Sequence, residues 1–238
     1  IKTMTCGNHA CPFHELEAVV GPHNGADLAC RVTDSVKQVR FDAGSVMFAQ
    51  GEPSTSLYSL SRGIVKITCH TTGGREQIVG IANPGNLLLG LQSLETDRYQ
   101  YSAVAETDVV ACKIRHRGLL KEASENGEVA LRLLKALNAQ LAHSRELMRV
   151  MGHKCAAAKI ASFITLLIPE AERARQHFTL PFSRAEIASL LGLSEETVCR
   201  QMAKMKRSGI LYSPRGRIEI LDWERLQAVA EEACIDTA

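Results

Sequence analysis

No run of this sequence reaches the ~18 consecutive apolar residues that a membrane span needs. The longest candidate, Ile160–Ile168, is interrupted by Ser162 and Thr165. No signal peptide is read at the start, so the chain is expected in the cytoplasm. Its eight cysteines follow no regular framework. That argues for a reducing compartment, with metal or redox roles for a few of them. No Walker loop, nucleophile elbow or dinucleotide fingerprint occurs, so no enzyme is expected. Charge of one sign is also scarce: the net is +2 over 238 residues, with 45% hydrophobic content, which fits two globular domains.

What is present concentrates in Phe182–Leu221. Ser183 with Glu186 three residues on predicts a capping box at a helix start. Ile187, Leu190 and Leu191 give that helix an apolar stripe, and Gly192 ends it. Ser194 caps a second helix whose first turn holds Glu195 and Glu196, the sign the helix dipole favours there. Val198, Met202 and Met205 fall at i, i+4 and i+7 and are expected to pack inward. Glu196, Cys199, Arg200, Ala203, Lys204 and Arg207 then share the opposite, mostly basic side. Two strands, Ile210–Tyr212 and Arg217–Leu221, bracket Ser213-Pro214-Arg215-Gly216. The whole reads as a winged helix-turn-helix with a recognition helix. Between Gln176 and Ile220 seven Lys/Arg face four Glu, a net +3, as phosphate contact requires. A solvated face on a purely structural three-helix unit would not need a cationic outer side joined to a basic wing.

From Ser35 to about Leu120 short apolar runs alternate with turn residues. Val36–Phe41, Ser45–Ala49, Leu57–Leu60, Val65–Cys69, Gln77–Ile81 and Val109–Ile114 predict strands, with glycines between them. The fold class is therefore α+β, opening with an antiparallel jelly-roll barrel of the cupin-like kind. A metal-dependent cupin enzyme would need a His-x-His pair on one strand, and the eight histidines form none. Leu87, Leu88 and Leu89 read as packing residues. Asn126–Gly152 predicts one long helix. On it Leu134, Leu137, Leu141, Ser144, Met148 and Met151 step by 3, 4, 3, 4, 3, a heptad seam. Ala156–Pro169 opens the last domain and Trp223–Cys234 closes it. The expected organisation is a cysteine-containing segment (1–34), a sensor barrel (35–120), a dimerisation helix (121–152) and a DNA-binding domain (153–238).

The stretch SRAEIASLLGLSEETVCR resembles the helix-turn-helix of the CRP/FNR family of transcription regulators. Glu196-Thr197-Val198-Cys199-Arg200 is similar to the E-x-x-S-R of its FNR branch, with Cys199 where that branch has serine. The resemblance implies that Glu196 and Arg200 read base edges in the major groove. The chemistry agrees, since Arg can bond guanine O6 and N7 together and a carboxylate can accept from cytosine N4. The DNA-contact set is expected to be Ser183, Arg184, Ser194, Glu196, Thr197, Cys199, Arg200, Lys204 and Arg207, the base beside Cys199 staying open. FDAGSVMFAQGEPSTSLYSLSRGIVKI and GGREQIVGIANPG resemble the family's sensor domain. That domain holds a cyclic-nucleotide phosphate with a Gly-Glu pair and an Arg-Ser pair. Here Leu91 follows Gly90 and Tyr101 precedes Ser102, so cyclic AMP is not expected. The resemblance further implies a homodimer joined through Leu134, Leu137, Leu141, Met148 and Met151, a palindromic duplex target, and RNA polymerase as a partner.

Cys6, His9, Cys11 and His14 lie close together near the start. In the FNR branch a cysteine cluster precedes a Pro-Phe pair, and Cys11-Pro12-Phe13 resembles its last member. Cys112, with Ile114 and Leu119 after it, is similar to that branch's barrel cysteine. The resemblance implies a [4Fe-4S] cluster on Cys6, Cys11 and Cys112, with Cys30 or a residue upstream of Ile1 as fourth ligand, and a response to oxygen. Other inputs stay open. They are a thiol switch between Cys6 or Cys11 and Cys112, zinc from the repeated C-x-x-H spacing, haem, and a small ligand with the thiols incidental. The expected function is a dimeric, sequence-specific transcription regulator responding to oxygen or redox state. The reading from another class is a signal-binding module whose basic helix serves a protein partner.

Overall fold

A computed structural model describes residues 36–70, 73–74, 76–84, 88–168, 177–179, 182–212 and 217–231. Cys6, His9, Cys11, His14, Cys30, Leu87, Pro169 and the turn at 213–216 lie outside the described residues. The chain divides into two compact units, Ile1–His143 and Ser144–Ala238.

Among the described residues the first unit carries eight strands: β1 (Val36–Phe41), β2 (Val46–Phe48), β3 (Ser56–Arg62), β4 (Val65–His70), β5 (Glu76–Ala82), β6 (Leu88–Leu89), β7 (Ser102–Ala105) and β8 (Val109–Arg115). They form two antiparallel sheets, ordered β1-β8-β3-β6 and β2-β7-β4-β5. Tyr58, Leu60, Val109 and Ala111 of the first sheet meet Phe48, Val65, Ala103 and Ala105 of the second in one buried cluster. Aromatic rings fill its middle. Phe48 stacks on Tyr99 with centroids 3.9 Å apart, and lies 5.7 and 5.6 Å from Tyr58 and Tyr101. Such pairs add about 0.5–1.5 kcal/mol each beyond their area burial. The phenols are satisfied: Tyr99 donates to the Ser56 carbonyl (2.8 Å) and Tyr101 accepts from Gly90 N–H (2.8 Å). Burial pushes the Tyr101 hydroxyl up to about 12, so it stays neutral.

Six of these strands follow the sequence pattern closely, and Leu89 is buried in the core as its packing role requires. Two escape the pattern. β6 is two residues long, and β7, Ser-Ala-Val-Ala, lacks a bulky run; it becomes a strand because β2 and β4 both bond to it. Between these two lies a single turn of helix, α1 (Ser93–Thr96).

The outer face of the first sheet packs on helices. Leu57, Leu91 and Ile114 join Leu119 of α2 (His116–Glu125) and Val129 and Ala136 of α3 (Gly127–Gly152). The separate α2 is not in the sequence reading. Asn126 parts the two helices with extended dihedrals (φ −131°, ψ 108°), and its side-chain oxygen accepts from Glu128 N–H at 2.9 Å. Asn126 is thus the cap of the long helix and not its first residue. His143 Nε2 lies 3.0 Å from the Ile81 carbonyl, a second tie between α3 and the barrel.

The second unit continues with α4 (Ala156–Leu167), β9 (His177–Thr179), α5 (Arg184–Leu191), α6 (Glu195–Arg207), β10 (Leu211–Tyr212), β11 (Arg217–Ile220) and α7 (Trp223–Glu231). Ile160, Phe163 and Ile164 of α4, Ile187 and Leu191 of α5, Val198 of α6 and Leu226 of α7 are fully or almost fully buried. The expected hairpin is there, widened by β9, which pairs with the other edge of β11. Three residues alone carried no strand signal; β11 supplies their hydrogen bonds.

Gly63, between β3 and β4, shows how little slack the barrel has. Its φ is +95°, and a Cβ there would lie 2.5 Å from the Asp108 carbonyl oxygen. Gly63→Ala is expected to lower stability by about 2–4 kcal/mol, strain and clash together. Urea unfolding checks this, and a change below about 0.5 kcal/mol would mean the turn relaxes freely.

Candidate nucleic-acid interface

Two serine caps aim the second unit's central helices. At the start of α5, Glu186 N–H donates to Ser183 Oγ (3.2 Å), while Ser183 N–H and its hydroxyl donate to Glu186 Oε2 (2.9 Å each). This is the full capping box. Gly192 ends α5 in the left-handed conformation (φ +63°, ψ +41°). Two residues later Ser194 caps α6, accepting from Thr197 N–H at 3.2 Å. The Ser194 and Thr197 hydroxyls also bond each other at 2.8 Å. Both serines therefore have their hydroxyls engaged in holding the helix starts.

α6 has the two faces its spacing implies. Val198, Met202 and Met205 are buried. Glu196, Cys199, Arg200, Ala203, Lys204 and Arg207 are exposed together on the far side, and Arg184 is half-buried at the start of α5. Arg200 donates to Glu196 Oε1 (3.1 Å) and to Thr197 Oγ1 (3.4 Å). Both side chains of the Glu196–Arg200 pair are well exposed, so it is worth only about 0.3–0.5 kcal/mol. That is enough to orient the guanidinium and little enough to be exchanged for another partner.

Several supporting contacts had no signal in the sequence. Lys159 Nζ donates to the Leu191 carbonyl (3.1 Å) at the end of α5, and Arg225 donates to the Ser208 carbonyl (2.8 Å) at the end of α6. Lys206 stands over the Tyr212 ring, 5.1 Å from its centroid. Each joins residues that are remote in sequence or on different elements, which local periodicity cannot reveal.

Along α3 the seam residues Leu134, Leu137, Leu141, Met148 and Met151 are all exposed, Leu134 at 60% and Met148 at 67%. Leu131, at 59%, extends the stripe toward the start of the helix.

The cysteines are dispersed. Cys69 lies on β4 against the barrel core, where burial raises its thiol, and its Sγ is 3.8 Å from the Gln100 carbonyl. Cys199 is exposed on α6 and Cys155 precedes α4. Cys112 is buried on β8, opposite Gln38 on one side and Ser59 on the other. It shares the outward face with Ile114, which packs on α2 and α3. The Ser59 hydroxyl across from it is buried with no hydrogen-bond partner among the described residues. Among the described residues no group of three or more His, Cys, Asp or Glu could hold a metal. A cube needs four ligands, and Cys112 is the one proposed ligand within the described residues.

Residues 38–126 match the family model "Cyclic nucleotide-binding domain", and residues 158–229 match "Crp-like helix-turn-helix domain". The nitrogen fixation regulation protein FixK of Bradyrhizobium diazoefficiens is 31% identical over 200 residues, 82% of each chain. The transcriptional activator protein Anr of Pseudomonas aeruginosa is 30% identical over 191 residues, 79% of this chain and 78% of its own. FnrL of Cereibacter sphaeroides is 30% identical over 230 residues, covering 93% and 90%. The structure of FixK2 from Bradyrhizobium japonicum superposes with a TM-score of 0.70 at 26% identity, covering 84% of this chain and 99% of that one. No described helix is long and apolar enough to cross a membrane. With a sensor-type barrel and a Crp-like helix-turn-helix in the order of these relatives, the chain belongs to the CRP/FNR family: it is a DNA-binding transcription regulator and not an enzyme.

Proposed function

We propose that this regulator binds a palindromic duplex site as a homodimer, and that oxygen or redox state sets its DNA affinity through Cys112 together with Cys6 and Cys11. On the output side, support comes from the exposed face of α6, where Arg200 is held by Glu196 and Lys204 and Arg207 stand beside it. Arg200 and Glu196 read bases, while Lys204 and Arg207 contact phosphates. Ser183 and Ser194 act as caps that present backbone N–H groups at the helix starts. Family members dimerise, and here the exposed apolar stripe of α3 provides the seam. RNA polymerase is the partner that the relatives' activator names suggest.

One observation carries the input side. Cys112 lies on the sheet face whose neighbouring residue, Ile114, packs with Val129 and Ala136 of α3. Oxidation, ligation or release of a thiol there changes the charge and volume of a buried site on the face that the long helix packs against. The helix runs without a break through Gly152, so a shift of its packing reaches the seam residues. A [4Fe-4S] cluster held by Cys6, Cys11, Cys112 and a fourth ligand is our preferred form of this input, and a disulfide is the second. Tyr101, buried and bonded to Gly90, stands where a cyclic nucleotide would need an arginine, which supports an input other than cyclic AMP.

Three measurements test this reading. Arg200→Ala is expected to cost about 1–3 kcal/mol at one base pair and to relax specificity there. Lys204→Ala is expected to weaken binding to all sequences alike and to lower the salt slope by about 1. Equal loss of specificity in both would overturn the division of roles. For the seam, Leu137→Glu with Leu141→Glu is expected to give monomers by sedimentation, and a stable dimer would place the interface elsewhere. For the input, the protein purified without oxygen is expected to show a broad visible band that bleaches in air, with Cys112→Ala lacking both the band and the air response of DNA binding. A colourless protein would eliminate cluster and haem; an air response that survives Cys112→Ala would remove Cys112 from the switch.

A further inference from the structure

The inward face of β8 does not end in the aromatic core. Past Ala111 comes Lys113, whose Nζ lies 5.8 Å from the centroid of the Tyr58 ring, and then Arg115. On β1, Lys37 stands directly opposite Lys113 in the antiparallel register. Arg117 adds a fourth cation from the first turn of α2. All four line one cavity of about 820 Å3, and among its described lining residues the one carboxylate is Asp97.

Two features of this cavity lack a counterpart among the described residues. Like charges facing each other across a strand pair are destabilising, yet Lys37 and Lys113 do so, and among the described residues none of the four cations makes an ion pair. Ser56, only 2% exposed, lines the cavity and pairs with Arg115 across β3 and β8. The start of α2 has no side-chain cap and no acidic residue in its first turn. Four cations on one concave surface, beside an uncapped helix N-terminus and a buried serine, describe an anion site.

We propose that this cavity binds a small phosphate-bearing molecule, held by Lys37, Lys113, Arg115 and Arg117 with Ser56 donating from the floor. Among the described lining residues four cations stand against one carboxylate, which suits a phosphate or pyrophosphate better than a single carboxylate. The floor favours a small ligand over a protein surface: His116 and Ser54 are buried there, 3.4 Å apart, and Ser54 continues to Ser93 in the helix turn α1. The site is apart from Tyr101, where the family's cyclic-nucleotide phosphate would be sought. It is also independent of the cysteine input, because Lys113 and Arg115 point to the opposite side of β8 from Cys112.

The test is calorimetric titration of the full, reduced chain with inorganic pyrophosphate. One site per protomer with a Kd below about 1 mM is expected. Lys113→Ala with Arg117→Ala should weaken binding at least about tenfold while melting temperature and duplex-DNA affinity hold. Lys37→Ala, an exposed change on an edge strand, should weaken it in the same direction should the double variant fail to fold. Lys204→Ala, on α6, should bind pyrophosphate as the unmodified chain does. The proposal is overturned by absence of saturable binding up to about 10 mM, by equal affinity in the cavity variants, or by loss in Lys204→Ala instead. Tighter binding of citrate than of pyrophosphate would overturn the phosphate class. Binding of polyglutamate without binding of either small anion would make the surface a protein contact.

Discussion

The alternation along β8 is the constraint from which the barrel's chemistry follows. A strand turns successive side chains to opposite faces, and β8 is central in its sheet, paired on both edges. Val109 and Ala111 go inward to the aromatic stack, while Ile114 goes outward to the helices. Cys112 must then face the helix layer, and Lys113 and Arg115 must face the barrel mouth. A slip of one residue in register would bury two cations against α2 and α3 and leave the thiol in the aromatic core. Pairing with both β1 and β3 prevents that slip.

The same economy governs the DNA-reading unit. Three buried side chains on α6 fix its rotation, and two serine caps with one left-handed glycine fix where it starts. The exposed side is then decided without further interactions. Its Glu196–Arg200 ion pair is too weak to hold the fold and suits the orienting role proposed for it. Stability and the proposed reading face thus sit on opposite sides of one helix, so the exposed side can vary without disturbing the core.

α3 joins these two designs. Its first half packs on the barrel through Val129 and Ala136, and His143 bonds a strand carbonyl. Along the rest of its length it presents leucine and methionine outward. It thus has one face packed on the barrel and one exposed apolar face. That double commitment is what the proposed switch draws on, a two-state shift in helix packing.

By itself the sequence determined the elements whose signal is local. The capping box at Ser183 and Glu186, the glycine stop at 192, the inward triad Val198, Met202 and Met205, and the heptad stripe of α3 each depend on spacings of three or four residues. Side-chain periodicity imposes such spacings on any chain that folds this way. The long strands β1, β3, β4, β5 and β8 were legible for the same reason. Tertiary structure alone decided the rest. β7 and β9 are strands because neighbours bond to them, and α2 is separate because Asn126 caps the helix that follows. The cavity cations come together because Lys37 and Lys113, far apart in sequence, share a rung. Pairing across a sheet is a long-range choice, and no local pattern in either segment records its partner.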